Sequence, residues 1–137
     1  LRYGVLADIA TLIVVGEPVP ITIGHVNVVW QGYANEVVLR SLTHASAEVF
    51  TINLTGPELL EVRDVAHRFA ELFGTDARFT GSPGPTALLS DSTRCMTMFG
   101  RPDVTADRLI QWQAQWMLDG LPMTGKPTKW AVRDGRF

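Results

Sequence analysis

Apolar and polar positions alternate along this chain with two periods, near 3.6 and near 2, and the switches between them divide it into elements. Residues 1–6 form a short apolar stretch that reads as the end of a strand. Residues 7–15 continue as a helix, with Gly16 as its left-handed stop and Pro18 just beyond. Residues 20–23 alternate, Gly24 interrupts them, and the valine-rich stretch 25–30 suits a half-buried strand. Residues 31–45 take up helical spacing, with Ala34, Val37, Val38, Ser41 and Leu42 on one face. A strand over 48–53 follows, and a Thr55-Gly56-Pro57 turn leads into the most regular helix of the chain, 60–73. Its core face is Val62, Val65, Ala66, Phe69, Leu72 and Phe73, and Gly74 stops it.

Residues 77–80 read as a third short strand, and the Gly-Ser-Pro-Gly-Pro run at 81–85 is a loop that no helix can cross. Ser90 is placed to cap a helix through Phe99, which Gly100 and Pro102 end. Thr105 caps the last helix, whose apolar face is Leu109, Ile110, Trp112, Trp116 and Met117, with Gly120 and Pro122 as its stop. From Gly125 the tail is charged and turn-rich, with Trp130 and Phe137 as the residues expected to pin it to the body. Strands alternating with helices predict an α/β fold: a small mixed sheet of about three strands with four to five helices. A doubly wound dinucleotide-binding fold needs roughly six strands, more than this pattern supplies.

At 137 residues and 46% hydrophobic content the chain suits a single domain over 1–137. A net charge of −2, with charges scattered singly, offers no basic stripe for nucleic acid. The lone Cys95 cannot form an internal disulfide, which fits a reducing, cytoplasmic setting. The apolar run 6–15 contains Asp8 and is too short to span a bilayer, so it reads as a buried helix and not as a signal peptide or membrane anchor. Beginning on Leu1 within an apolar stretch, the chain is expected to continue something upstream, whether by natural truncation or by cleavage.

Candidate chemistry is sparse. Neither a Gly-x-Gly-x-x-Gly nor a Gly-x-x-Gly-x-x-Gly phosphate loop is present. The two tyrosines, Tyr3 and Tyr33, are followed four places later by Ala7 and Val37, so no Tyr-x-x-x-Lys pair exists. His25, His44 and His67 are too widely spaced, with no acidic or cysteine cluster beside them, to predict a metal site. Ser90-Asp91-Ser92 lacks a nucleophile elbow and reads as a cap. On a strand over 25–30, His25 and Asn27 share one face, either toward a ligand or toward solvent. Trp30 is a core, interface or pocket-wall residue. Thr86, at the end of the Pro83 loop, is either a pocket rim or a plain connection. Lys126 and Lys129 read as a solvated tail.

The order of short motifs resembles the extended short-chain dehydrogenase/reductase family, the NAD-dependent epimerases and dehydratases, over nearly the whole chain. Tyr3-Gly4 is similar to the Tyr-Gly of that family's Asn-Val-Tyr-Gly-Pro segment. Residues 25–34 resemble its Arg-Asp-Phe-Val-Tyr-Val-Asp-Asp-Val-Ala stretch. Residues 50–58 with Val62-Arg63-Asp64 resemble its last crossover, and Leu89-Ser90-Asp91, Arg94 and Phe99-Gly100-Arg101-Pro102 its later loop and helix. The ending at 125–137 resembles the natural carboxy terminus of uncharacterised members.

The resemblance implies the carboxy-terminal, substrate-side part of such an oxidoreductase or epimerase, not catalytic alone, with no catalytic residue of its own. NAD or NADP would bind in the longer protein through an amino-terminal Rossmann half. Tyr3, Gly4 and Val5 would lie toward the cofactor, and His25, Asn27, Trp30 and Thr86 toward a small-molecule substrate. Leu1 and Val5 stand where the family has Asn and Pro, Gln31-Gly32 where it has an Asp pair, and His25 where an Arg grips a nucleotide-sugar phosphate. The substrate is therefore expected not to be a nucleotide sugar. Glu61 stands in a helix cap position usually held by Ser or Thr, a loss of about 1 kcal/mol. The alternative function is a stand-alone assembly module of the same fold, self-associating through exposed apolar surface.

Overall fold

A computed structural model describes residues 1–132 apart from Leu88 and Pro127. Helix α1 (Val5–Val15) begins at the second half of the stretch expected to be a strand end, because Gly4, at φ 124°, turns the chain directly into it. It buries Leu6, Ala7, Ile9, Ala10 and Ile13 and ends on Gly16 at φ 72°, as the glycine-then-proline signal predicts.

Strand β1 (Val19–Pro20) pairs in parallel with β4 (Phe79–Thr80), and β2 (His25–Val26) pairs antiparallel with β3 (Leu60–Glu61). The chain is mixed α/β as expected, but among the described residues its strands are four two-residue segments in two separate pairs. Residues 48–53 form no ladder. Their alternation is nevertheless real: Phe50, Ile52 and Leu54 turn inward onto Tyr33, Val37, Cys95 and Phe99. Side chains replace the missing strand partner, since Arg94 donates to the Thr51 carbonyl at 3.0 Å and Asn53 to that of Asp91 at 3.2 Å.

Helix α2 (Gln31–Ser41) passes into a single 3-10 turn, Leu42–His44. Only Tyr33 and Val37 of α2 are buried: of the expected face Val37 alone is among them, Val38 and Leu42 are 58% and 66% exposed, and Tyr33, not on that face, takes the inward place. The narrow contact is anchored by the Tyr33 hydroxyl, which donates to the Gly100 carbonyl at 2.6 Å. Burial, helped by the neighbouring Cys95 sulfur, pushes the Tyr33 phenol up to about 12.

Helix α3 (Val62–Phe73) is the centre of the main core, packed against α1 and α5. It buries Val62, Val65, Ala66, Phe69 and Ala70, and Gly74 closes it at φ 67°. Glu61 precedes it without a side-chain cap, as its sequence implies. Helix α4 (Thr93–Phe99) starts after Ser92, and Asp91, not Ser90, supports its first turn by accepting from the Thr93 amide at 2.9 Å. The Thr93 hydroxyl, together with its amide, holds the Asp91 carboxyl below its usual range.

Helix α5 (Ala106–Leu118) carries the expected cap, Thr105 accepting from the Arg108 amide at 3.3 Å. Glu58 adds a second bond, accepting from the Ala106 amide at 2.7 Å. The carboxy-terminal strap runs back along α1. Asp8, the one charge within the apolar run, accepts from both the amide and the hydroxyl of Thr128, at 2.8 and 2.6 Å. Trp130 packs on the main core as expected, and Phe137 lies outside the described residues. Among the described residues no helix is long and apolar enough to cross a membrane.

Candidate functional site

The turn that starts α1 and the turn that starts α2 face each other across a groove of about 510 Å³, with α5 as its floor. Residues 1–6 form one wall and 27–31 the other, while Leu109 and Gln113 contribute from α5. A groove of this size and mostly apolar lining, with a few fixed polar groups, has the usual character of a small-molecule site.

Three carboxamides in it are positioned by local features, beside the Arg2 guanidinium and the Tyr3 phenol. The chain leaves its ladder after Val26, so Asn27 is placed by its own bond: Oδ1 accepts from the Ser90 amide at 3.0 Å. Its Nδ2, with two hydrogens, takes no protein acceptor among the described residues. Gln31 donates from Nε2 to Asn35 at 2.8 Å, one turn along α2, which leaves its carbonyl oxygen as an acceptor. Gln113 is 2% exposed, and its Nε2 meets only the thioether sulfur of Met123, at 3.9 Å. These three carboxamides can hydrogen-bond and orient a neutral polar ligand. Among the described residues no carboxylate, imidazole or thiol side chain lines the groove; its ionisable side-chain groups are the Arg2 guanidinium and the Tyr3 phenol.

Trp30 closes the groove near α2, its indole edge-on to Trp112 with ring centroids 5.9 Å apart. The indole folds over Gly32, where a Cβ would stand 2.5 Å from the ring. Gly32→Ala is therefore expected to push Trp30 off Trp112 while helix propensity returns about 1 kcal/mol to α2. The variant should show a changed tryptophan emission maximum with little loss in unfolding midpoint. An unchanged emission spectrum would contradict this placement of the ring.

Five of the seven residues singled out in the sequence line this one groove: Tyr3, Gly4, Val5, Asn27 and Trp30. His25 and Thr86 do not. His25 sits half-buried in β2 opposite Glu61, because the strand ends before it can share a face with Asn27. Thr86 is exposed in its loop. Gln113 was not singled out, although its signal is readable: it occupies a polar break in the buried stripe of Leu109, Ile110 and Ala114. Among the described residues no three His, Cys, Asp or Glu side chains converge as metal ligands would.

Comparison with solved structures gives a consistent result. The UDP-glucose 4-epimerase of Thermus thermophilus, in complex with NAD, matches 84% of this chain at 19% identity, with a TM-score of 0.61. A UDP-galactose 4-epimerase matches 88% at 20% identity, with a TM-score of 0.64. The chain shares the fold of part of these epimerases. The UDP-glucose 4-epimerase of Thermotoga maritima with UDP-glucose also matches, over 85% at 16% identity with a TM-score of 0.58. The chain spans about two-fifths of the length of each, 41%, 42% and 40% respectively. No protein-family model and no curated protein sequence matches it. At these identities the likeness establishes the fold, in agreement with the fold class expected from the motif order.

Proposed function

We propose that this chain, folding as one domain, is the carboxy-terminal, substrate-side part of an NAD- or NADP-dependent epimerase, dehydratase or related oxidoreductase, and that the groove is its share of the active site. The observation that carries this reading is the convergence of Tyr3, Gly4, Val5, Asn27 and Trp30 on one groove, in a fold shared with part of an NAD-complexed epimerase. Tyr3, Gly4 and Val5 would border the cofactor, while Asn27, Trp30 and Gln113 would border the substrate. The residues present do not fit the dinucleotide itself. A pyrophosphate needs a glycine-rich turn at a helix N-terminus, and proton transfer needs a Tyr-x-x-x-Lys pair; the chain has neither motif. A companion Rossmann half would supply both. His25, standing where the resembled family has a phosphate-gripping Arg, lies away from the groove, which supports a substrate other than a nucleotide sugar; Arg2 on the groove wall and the three carboxamides would meet its polar groups.

The test is calorimetric titration of NAD and NADP into this chain and into a version extended upstream by a dinucleotide-binding half. The expected outcome is no tight binding by the chain alone and binding by the longer one. Tight binding by the chain alone would overturn the division of labour.

A second reading, an assembly module, is favoured by the exposed Val38 and Leu39 on α2 and Leu42 in the 3-10 turn after it. It requires concentration-dependent association in light scattering, and a single monomeric species would remove it.

A further inference from the structure

We propose that a second groove, which shares Arg2 and Tyr3 with the first, binds a small amphipathic carboxylate. It lies between α1 and the strap formed by residues 123–126 and 128–132, and encloses about 510 Å³. Its two walls come from this chain and are tied together. Thr124 donates from its amide and hydroxyl to the Arg2 carbonyl, both at 3.0 Å, Thr128 is held by Asp8, and Thr22 donates to the Ala131 carbonyl at 3.1 Å.

The lining is apolar. Val14 and Val15 of α1, 53% and 61% exposed, face a wall that includes Met117 and Trp130. A built trough with unfilled apolar walls favours a ligand with a hydrocarbon or aromatic body.

Charge supplies the other half of the recognition. Arg2, Lys126 and Lys129 line the groove against one carboxylate, Asp8, in a chain whose net charge is −2. Asp8 is engaged by Thr128, and among the described residues none of the three cations forms an ion pair. Lys126 rests with Nζ 5.9 Å from the Tyr3 ring centroid. Lys129 takes φ 58°, a left-handed backbone rare for a residue with a side chain, in a turn closed by Val132 donating to its carbonyl at 2.9 Å. A single anionic head on an apolar body uses both features. A neutral hydrocarbon would leave the cations idle, and a polyanion would bury charge against apolar walls.

The experiment is calorimetric titration of the 137-residue chain with decanoate and, separately, decanol. Decanoate is expected to bind saturably at one site per chain, with decanol about tenfold weaker, and added salt should weaken only decanoate. Lys126→Ala with Lys129→Ala should weaken decanoate about tenfold and leave decanol unchanged. Val15→Glu, on an exposed helix position where folding is spared, should abolish decanoate binding. The proposal is overturned by absence of saturable decanoate binding, by decanol binding equally well, or by indifference to the lysine pair. A dimer that decanoate does not dissociate would place a second copy in the groove and overturn it as well. None of these outcomes bears on the companion-half reading, which NAD titration tests.

Discussion

Phe69→Ala is expected to lower the free energy of unfolding by about 3–5 kcal/mol, the scale seen when a large aromatic side chain is cut from a closed core. Among the described residues Phe69 is the largest fully buried side chain, at 0% exposure, and it sits on α3, the helix against which both α1 and α5 pack. Its ring stacks on that of Phe73, with centroids 5.9 Å apart and planes within 10°. Removing it leaves a void bordered by three helices, none of which can shift without opening a contact to the other two. Thermal unfolding followed by circular dichroism should show the midpoint falling by about 10–20 °C. Phe69→Leu, which keeps much of the volume, should lose far less. If the alanine variant melted with the native protein, α3 would not be the centre of the core.

Gly56→Ala is expected to be nearly as damaging, by about 3 kcal/mol, at the upper end of ordinary overpacking. The reason is an approach of backbone to backbone. A Cβ at position 56 would stand 2.0 Å from the Val28 carbonyl oxygen and 3.1 Å from its carbon. No rotamer change relieves that clash; the strand of chain carrying Val28 must move, and it is the wall of the candidate groove. The denaturation midpoint should therefore fall together with a shift in Trp30 fluorescence. A stable variant with an unchanged groove would contradict the close approach.

The two variants mark how far the sequence could be read. Phe69 was legible because α3 is a regular amphipathic helix with a glycine stop, and an i, i+3, i+4 pattern states which face is buried without reference to anything else. Gly56 was legible only as part of a turn. That it is a contact point for Val28 depends on a chain segment nearly thirty residues away in sequence, and no local pattern encodes it.

The same contrast runs through the errors. Residues 48–53 alternate as a strand does, and Phe50 and Ile52 do turn inward, yet helices α2 and α4 take the place that a neighbouring strand would have filled. On α2 only Val37 of the expected face is buried, joined by Tyr33, while Val38 and, in the following 3-10 turn, Leu42 face outward. His25 and Asn27 were placed on one face by a strand that ends too early to impose it. Asp8, unexplained within an apolar helix, proves to be the anchor of the strap through Thr128.

By itself, then, the sequence determined where α1 and α3 end, through Gly16 and Gly74, where α5 begins, through the Thr105 cap, and which mixed α/β class they build. Those signals act within one or two turns of chain, where the backbone geometry of glycine and a single capping hydrogen bond decide the outcome. Only the tertiary structure decided which short strands pair, which side of α2 is covered, and that Tyr3, Asn27, Trp30 and Gln113 meet across one groove. These are contacts between distant segments, set by how the helices around α3 pack, and the period of a single element carries no record of its partner.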